Sequence, residues 1–246
     1  MALLRSENGC PWDREQDHKS IRNNFIEETY EVVEAIDKDD INLLREELGD
    51  VLLQVVFHTQ MEEEKKTFTF DDVVTELCNK LIIRHPHVFG ETKVNDTEEV
   101  LTNWENIKNE VKGTESYTET LKSVPNTFPA LMRGQKISKR AAKAGMDYPD
   151  VNSAFEDLEN EVGELWDAIQ SGDRTSITEE LGDLLFSCTN VAYKLQIDAE
   201  QALGKSCEKF ISRFEKVEQM ANEQGIRMEQ TELDSLNCLW RKAKEI

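Results

Sequence analysis

Apolar residues recur three and four positions apart over long stretches of this 246-residue chain. This spacing places apolar side chains on one face of an α-helix, whereas a half-buried strand would alternate apolar and polar residues. The chain also has only 11 glycines and 5 prolines, which are the residues that most often interrupt helices. The pattern therefore predicts an all-α fold without strands. One stripe consists of Leu181, Leu184, Leu185, Cys188, Ala192 and Leu195.

Short polar turns divide each half of the chain into successive helices. The first predicted helix covers residues from about 20 to 37, and the run from Asp37 to Asp40 turns the chain into a second helix that reaches about Glu64. In the second half, Ser171-Gly172-Asp173 makes the equivalent turn. Because an apolar stripe needs a partner to bury it, we expect the helices of each half to pack as bundles.

Four acidic residues with one fixed spacing occur twice in the chain, 133 positions apart. The two sets are Glu28, Glu31, Glu47 and Asp50, and Glu161, Glu164, Glu180 and Asp183. Such a repeat indicates a duplicated module. We predict an N-terminal helical module at 1–112, a linker at 113–129 where Gly, Ser, Thr and Pro interrupt the helical period, and a C-terminal module at 130–246.

The charge balance limits the classes of partner. The chain carries 50 acidic and 29 basic residues and a net charge of -21, which repels nucleic acid and anionic membranes. No stretch approaches the roughly 20 apolar residues of a membrane span. The five cysteines are scattered and form no Cys-x-x-Cys pair. We therefore expect a cytoplasmic protein with reduced, mostly buried thiols.

The repeated acids favour a divalent cation. Each module has two carboxylates three residues apart on one helix and two more on the next, so a helix hairpin would bring all four together. At an effective dielectric near 20, two such charges about 4 Å apart repel by roughly 4 kcal/mol, and a cation reverses this cost. Oxygen ligands without His or Cys favour Mg²⁺ or Mn²⁺, which also bind substrate phosphates.

Basic and aromatic residues provide a complement to this site. Lys209 and Arg213 lie four apart on a predicted helix, and Lys80 and Arg84 repeat that spacing. The sequence also pairs Trp240 with Lys244, four residues apart, near its C-terminus. A Trp ring can stack on a base while the cations contact phosphates. The same residues are also compatible with an exposed helix face and a core tryptophan.

Asn190 distinguishes the second module from the first. It lies seven residues after Asp183, two turns along the same helical face, where it is placed to hold a ligand group. Its counterpart at the repeat offset is Phe57. This difference favours the second module as the main site.

Two other classes of protein remain open from the residues alone. An acidic helical interaction protein would bind a basic partner without catalysis. A di-iron carboxylate protein would need a Glu-x-x-His motif on each of two helices, and the chain has one, from Glu15 to His18, outside the repeated unit.

The sequence resembles the two-module MazG-type nucleoside triphosphate pyrophosphohydrolases over nearly its whole length. The residues that carry the resemblance are Glu27-Glu28-x-x-Glu31 with Glu47-Leu-Gly-Asp50, Glu161-x-x-Glu164 with Glu180-Leu-Gly-Asp183, the CPWD and HPHVFG segments, and the Trp-x-x-x-Lys ends. The doubled glutamate at Glu27 is Asn160 in the second module, which leaves the metal quartet intact.

The resemblance implies an all-helical, dimeric hydrolase that converts NTPs and dNTPs to the monophosphate and pyrophosphate with Mg²⁺, in nucleotide-pool housekeeping. It implies that Glu161, Glu164, Glu180 and Asp183 hold Mg²⁺. It further implies that Lys209, Arg213 and Trp240 bind the nucleotide, with Lys244 and Asn190 as additional contacts. Glu164 or Glu180 is our candidate for the general base that accepts a proton from water.

Overall fold

The structure is a computed structural model that describes residues 1–100, 103–104, 107 and 116–244. Throughout these residues the fold is helical and contains no strand, which confirms the prediction from periodicity. The chain divides into two compact units, Met1–Gly113 and Thr114–Ile246. No helix in the described ranges combines the length and apolar composition needed to cross a bilayer.

The longer helices are labelled in chain order. Unit 1 contains α1 (Arg22–Asp37), α2 (Ile41–Glu64) and α3 (Phe70–Arg84), with short helices at Ala2–Arg5, Pro11–Glu15 and Pro86–Phe89. Unit 2 contains a short helix at Tyr117–Lys122, then α4 (Ala130–Lys143), α5 (Val151–Ser171), α6 (Arg174–Lys194), α7 (Ala199–Glu223), a 3₁₀ turn at Met228–Gln230 and α8 (Leu233–Ala243).

The same helical hairpin is built in both units. Helix α1 packs on α2, and α5 packs on α6. The two turns place Asp39 (φ 53°) and Gly172 (φ 72°) in the left-handed backbone region at equivalent positions. Asp40 and Asp173 then cap the second helix of each hairpin, each accepting hydrogen bonds from two backbone N–H groups of the first helical turn. The repeat in sequence is therefore a repeat in local structure.

Two further contacts complete unit 2. Helix α4 packs on α6, where a Cβ atom added to Gly134 would lie 2.9 Å from Thr189 Oγ1, so only glycine permits this close approach. Helices α7 and α8 share a small core of Val217, Ala221, Leu239 and Ala243. Helix α7 also packs on α4 and α6, so the α7–α8 pair lies against the rest of unit 2.

Part of the predicted linker belongs to unit 2. Residues 113–115 lie outside the described residues, but a helix follows at Tyr117–Lys122 and packs on α4. Ser116 and Glu119 form a capping box, and Val124 is buried. The polar residues that predicted a linker are thus the cap of a short helix.

The prediction of mostly buried thiols is wrong for the described cysteines. Cys78, Cys188, Cys207 and Cys238 are exposed and Cys10 is half-buried, all of them as free thiols. Several apolar residues of the helical stripes are also exposed, among them Leu181 and Leu185. A cysteine on an apolar stripe is buried only if another surface covers that stripe, and the other helices of unit 2 cover the stripe of α6 incompletely.

The N-terminal segment of unit 1 packs on the second half of α2. Arg5 donates two hydrogen bonds to the Glu64 carboxylate, at 2.8 and 2.9 Å, and its guanidinium lies 5.4 Å from the centre of the Phe57 ring. Trp12, in the CPWD segment, meets Phe57 edge-on. The residue that replaces Asn190 in unit 1 is therefore a buried anchor for the N-terminal segment.

A second polar cluster fastens this segment through Glu62. His18 Nε2 lies 2.5 Å from Glu62 Oε1, and His18 Nδ1 lies 2.7 Å from His58 Nδ1. Glu62 also accepts hydrogen bonds from Lys65 and Thr67. The hydrogen bond from Lys65, then those from Thr67 and His18, lower the pKa of Glu62 from 4.5 to about 2.

Replacing Glu62 by glutamine should make the stability of unit 1 less dependent on pH in the acidic range. The folded-state pKa of Glu62 lies below its unfolded value, so its stabilising effect is present above pH 4.5 and is lost as the pH falls towards about 2. We expect wild-type protein to melt at a higher temperature than Glu62→Gln at neutral pH, with the gap closing in that acidic range. Thermal unfolding across pH measures this gap, and a gap that stays constant would contradict the assignment.

Candidate functional site

The α5–α6 hairpin gathers the predicted acids of unit 2. Carboxylate oxygens of Glu161, Glu164 and Glu180 all lie within 4.8 Å of one another. Asp183 is close enough for its charge to raise the pKa of both Glu161 and Glu180. Glu161 and Glu180 are half-buried, while Glu164 and Asp183 are exposed. The hairpin thus presents four carboxylates at one place on its surface.

Unit 1 repeats this arrangement on α1 and α2. Oxygens of Glu28, Glu47 and Asp50 lie within 4.8 Å of one another. Glu31 lies near the same group, since burial and then the charge of Glu31 raise the pKa of Glu47. Glu47 is buried, with 8% of its surface exposed. Both quartets predicted from the sequence therefore converge, each within its own unit.

The electrostatics of each cluster oppose the ionised state. Burial is the largest cause that raises the pKa of Glu161, followed by the charges of Glu164 and Asp183. Burial and then the charges of Glu164 and Asp183 likewise raise the pKa of Glu180. A divalent cation among these oxygens would reverse the repulsion. An all-carboxylate donor set of this kind fits a hard cation such as Mg²⁺ or Mn²⁺.

Removing one of these charges should have opposite effects on the melting temperature with and without metal. In the presence of a chelator we expect Glu180→Gln to melt at a higher temperature than wild type, because burial and neighbouring acids disfavour the Glu180 charge. With saturating Mn²⁺ we expect wild type to be the more stable protein, because a cation that binds only the folded state stabilises it. Thermal melts in chelator and in Mn²⁺ test the reversal.

A matched control for this comparison is Glu159→Gln, which changes an exposed acid on α5 outside the quartet. It should show no such reversal. If Glu180→Gln lowered the melting temperature equally in both conditions, the carboxylates would not act as a cation site.

Asn190 takes part in a buried hydrogen bond. It is 7% exposed, and its Oδ1 accepts a 2.5 Å hydrogen bond from Ser138 Oγ. Tyr148 belongs to the same region, and burial, then its hydrogen bond to Asp157, raise the pKa of Tyr148 to about 12. The oxygen of the Asn190 side chain is therefore used by a protein group.

The predicted nucleotide-binding residues lie on the α7–α8 pair. Lys209 is exposed and Arg213 is half-buried on α7, and Lys244 is exposed just after α8. The Trp240 ring lies 4.9 Å from the Phe210 ring, which joins α8 to α7. Helix α7 also packs against α6, the helix of Glu180 and Asp183. The structure groups these residues beside the hairpin, and their contact with a nucleotide stays a prediction.

The related residues of unit 1 follow a similar pattern on α3. Lys80 and Arg84 both belong to this helix, and the Arg84 guanidinium lies 5.6 Å from the centre of the Trp104 ring. The lysine four residues after Trp104, Lys108, lies outside the described residues. A cation and an aromatic ring of the two repeated pairs, Arg84 and Trp104, are thus adjacent in this unit.

Three polar residues of unit 2 were missed by the sequence analysis. Asp157 Oδ2 accepts hydrogen bonds from Tyr148 Oη at 2.8 Å and from Ser187 Oγ at 2.9 Å. The usable signal was helical spacing, because Asp157 lies four residues before Glu161 and Ser187 lies four after Asp183. Tyr148 lies in a loop, where no periodicity could have identified it.

Histidine is separate from the acid clusters. In the described part of the chain, the residue groups placed to hold a metal ion consist of carboxylates alone. The one Glu-x-x-His motif directs His18 towards His58 and Glu62. The donor chemistry of the clusters therefore resembles a site for a hard cation more than a histidine-containing iron site.

Comparison with known proteins identifies the family of the chain. The family model of the MazG nucleotide pyrophosphohydrolase domain matches the chain twice, at residues 16–89 and 150–218. The chain is 41% identical over 249 residues to a protein of Escherichia coli strain K12 named nucleoside triphosphate pyrophosphohydrolase, covering 99% of this chain and 94% of that protein. Each matched region contains one of the two quartets.

Two other relatives span the same length of chain. A Thermotoga maritima protein named nucleoside triphosphate pyrophosphohydrolase/pyrophosphatase MazG is 41% identical over 244 residues, covering 99% of this chain and 92% of that protein. An uncharacterized protein of Bacillus subtilis strain 168 is 43% identical over 243 residues, covering 98% of this chain and 50% of that protein. The similarity therefore includes both units.

Proposed function

Because the chain belongs to the MazG nucleotide pyrophosphohydrolase family, we propose that it hydrolyses NTPs and dNTPs to the monophosphate and pyrophosphate with Mg²⁺. The observation that carries the proposal is the convergence of Glu161, Glu164 and Glu180 within 4.8 Å, with Asp183 beside them. The names of two relatives that cover nearly the whole chain support the same reaction class. We assign the chain a housekeeping role in the cytoplasmic nucleotide pool.

The proposed roles follow from the chemistry of each side chain. Glu161, Glu164, Glu180 and Asp183 would hold Mg²⁺, or Mn²⁺ in its place. When bound, the cation offsets phosphate charge and makes the attacking water more acidic. Glu164 or Glu180 would accept the proton from that water.

The nucleotide would be held by residues of α7 and α8. Lys209 and Arg213 would contact phosphate oxygens, and Lys244 would add a third positive charge. Trp240 would stack on the base through the part of its ring that Phe210 leaves open. Asn190 remains a predicted substrate-binding residue by family resemblance, and its buried position favours an indirect role.

Unit 2 would be the main catalytic unit. Its quartet has the polar network of Asn190 beside it, whereas unit 1 has Phe57 at the equivalent position, anchored by Arg5 and Trp12. The quartet of unit 1 would hold a cation of its own, through Glu28, Glu31, Glu47 and Asp50.

We further propose that the protein is a homodimer. Large apolar side chains on the α5–α6 hairpin are exposed in the single chain, including Val162 (54%), Trp166 (61%) and Leu185 (48%). Exposed apolar surface on this scale is typical of a protein–protein interface. Sedimentation equilibrium measures the mass, and a monomer at micromolar concentration would contradict the dimer.

Product analysis tests the reaction directly. The purified protein is incubated with a panel of NTPs and dNTPs and Mg²⁺, and monophosphate, diphosphate, phosphate and pyrophosphate are then separated. We expect monophosphate and pyrophosphate in equal amounts. Diphosphate and phosphate would show that a different bond is cleaved. An acidic interaction protein would release none of these products. A di-iron protein would instead retain iron after purification.

A further inference from the structure

A hydrogen-bond network at the edge of the acid cluster of unit 2 converges on Asp157 of α5. Tyr148, in the loop before α5, donates to Asp157 Oδ2. Ser187 on α6 donates to the same oxygen of Asp157. The network therefore joins two helices and a loop, and ends on one carboxylate.

Asp157 is the acceptor at the end of this network. Tyr148 and Ser187 both donate to Asp157 Oδ2, so the carboxylate is held by two hydroxyl groups from different elements. Ser187 is 3% exposed, while Tyr148 and Asp157 are half-buried. A carboxylate held in this way has a fixed orientation, because rotation would leave the buried Ser187 hydroxyl group without an acceptor.

Asp157 lies next to the quartet on the same hairpin. It is one helical turn before Glu161, and its partner Ser187 is one turn after Asp183. The Asp157–Ser187 hydrogen bond thus crosses from α5 to α6 one turn away from the crossing made by the quartet. The charge of Asp157 is also among the causes that raise the pKa of Glu161.

Unit 1 lacks this network although it retains the quartet. At the repeat offset, Asp157, Ser187 and Asn190 are replaced by Asn24, Gln54 and Phe57. Gln54 is 6% exposed, and its Oε1 atom is buried without a hydrogen-bond partner among the described residues. The network is therefore a feature of the unit 2 site and is not required to build the hairpin.

We propose that Asp157 is a positioning residue: its hydrogen bonds to Ser187 and Tyr148 hold α5 against α6 one turn from the quartet of unit 2 and strengthen cation binding there. This inference rests on the proposed function, since it concerns the same quartet. It follows from the geometry of a fixed negative charge one turn from the ligands, because such outer partners orient metal ligands and raise their affinity.

Direct measurement of cation binding tests the proposal. The parent protein carries Glu47→Gln and Asp50→Asn, which removes the unit 1 quartet and leaves one class of site. Mn²⁺ affinity is measured by electron paramagnetic resonance without nucleotide. We expect Asp157→Asn to weaken Mn²⁺ binding by about 10- to 100-fold. Asp157→Glu keeps the charge and should recover part of this loss.

A conservative variant tests the network. Tyr148→Phe removes only the hydroxyl group that orients Asp157, so we expect weaker Mn²⁺ binding in a protein that remains folded. Glu159→Gln, an exposed acid on α5, is the matched control.

The outcomes separate this inference from the function on which it rests. If the parent bound no Mn²⁺ and released no pyrophosphate, the proposed function would fail. If the parent did both, but Asp157→Asn and Tyr148→Phe bound Mn²⁺ as tightly as the parent, only the positioning role would be overturned. A lower melting temperature with unchanged Mn²⁺ affinity would show a structural role and would also overturn it.

Discussion

Replacing Asp183 by asparagine should lower kcat/KM by at least about 100-fold while the helix content stays unchanged. The asparagine side chain would keep the shape of the aspartate but remove a negative charge from the quartet. Asp183 is exposed and adds to the charges that raise the pKa of Glu180, so the fold does not depend on it. Pyrophosphate release measures the activity, and circular dichroism measures the helix content.

The duplicated quartet provides the control for this experiment. Asp50→Asn makes the same chemical change at the equivalent position of unit 1. We expect it to reduce the rate far less, since we assign turnover chiefly to unit 2. If the Asp183→Asn/Asp50→Asn double variant kept the wild-type rate, neither quartet would hold the catalytic cation.

Truncating Leu239 to alanine should destabilise the α7–α8 pair by about 2–5 kcal/mol, which is the usual cost of removing a buried leucine side chain. Leu239 is 3% exposed and packs in the core with Val217, Ala221 and Ala243. Urea denaturation measures the loss of free energy of unfolding. Because α8 also carries Trp240, we expect KM for the nucleotide to rise in the folded fraction.

Leu233→Ala is the matched control for Leu239→Ala. Leu233 begins the same helix, but 71% of its surface is exposed, so its truncation should change the free energy of unfolding by less than about 0.5 kcal/mol. Equal losses for the two variants would show that the shared core of α7 and α8 does not hold α8 in place. A destabilised Leu239→Ala with an unchanged KM would argue against Trp240 as a nucleotide contact.

Local features of the site were predictable from sequence because helical geometry determines them. The helix predicted at about 20–37 is Arg22–Asp37, and the next one ends at Glu64 as predicted. Acids three residues apart lie on one face of their helix, and a short turn favours packing of the two helices side by side. The convergence of Glu161, Glu164 and Glu180 was therefore predicted from spacing together with the expected hairpin.

Features that depend on distant contacts could not be derived in this way. Asp157 accepts a hydrogen bond from Tyr148 in a loop, and Asn190 accepts one from Ser138 on α4; no local pattern shows that these residues meet. The short helix at Tyr117–Lys122 was hidden because its cap uses the same polar residue types as a linker. Thiol burial failed as a prediction because it depends on which surface covers each helix, and periodicity does not identify that surface.

The paired turns suggest how the protein could be made more resistant to heat. Gly172 adopts its left-handed conformation without steric penalty, whereas Asp39 must hold the same conformation with a side chain, at a cost of about 1 kcal/mol. The two turns are copies of one another, and the second copy already contains glycine, the residue with the lower steric cost in this conformation. Replacing Asp39 by glycine would give the first turn the residue that the second turn already has, and would remove this steric cost.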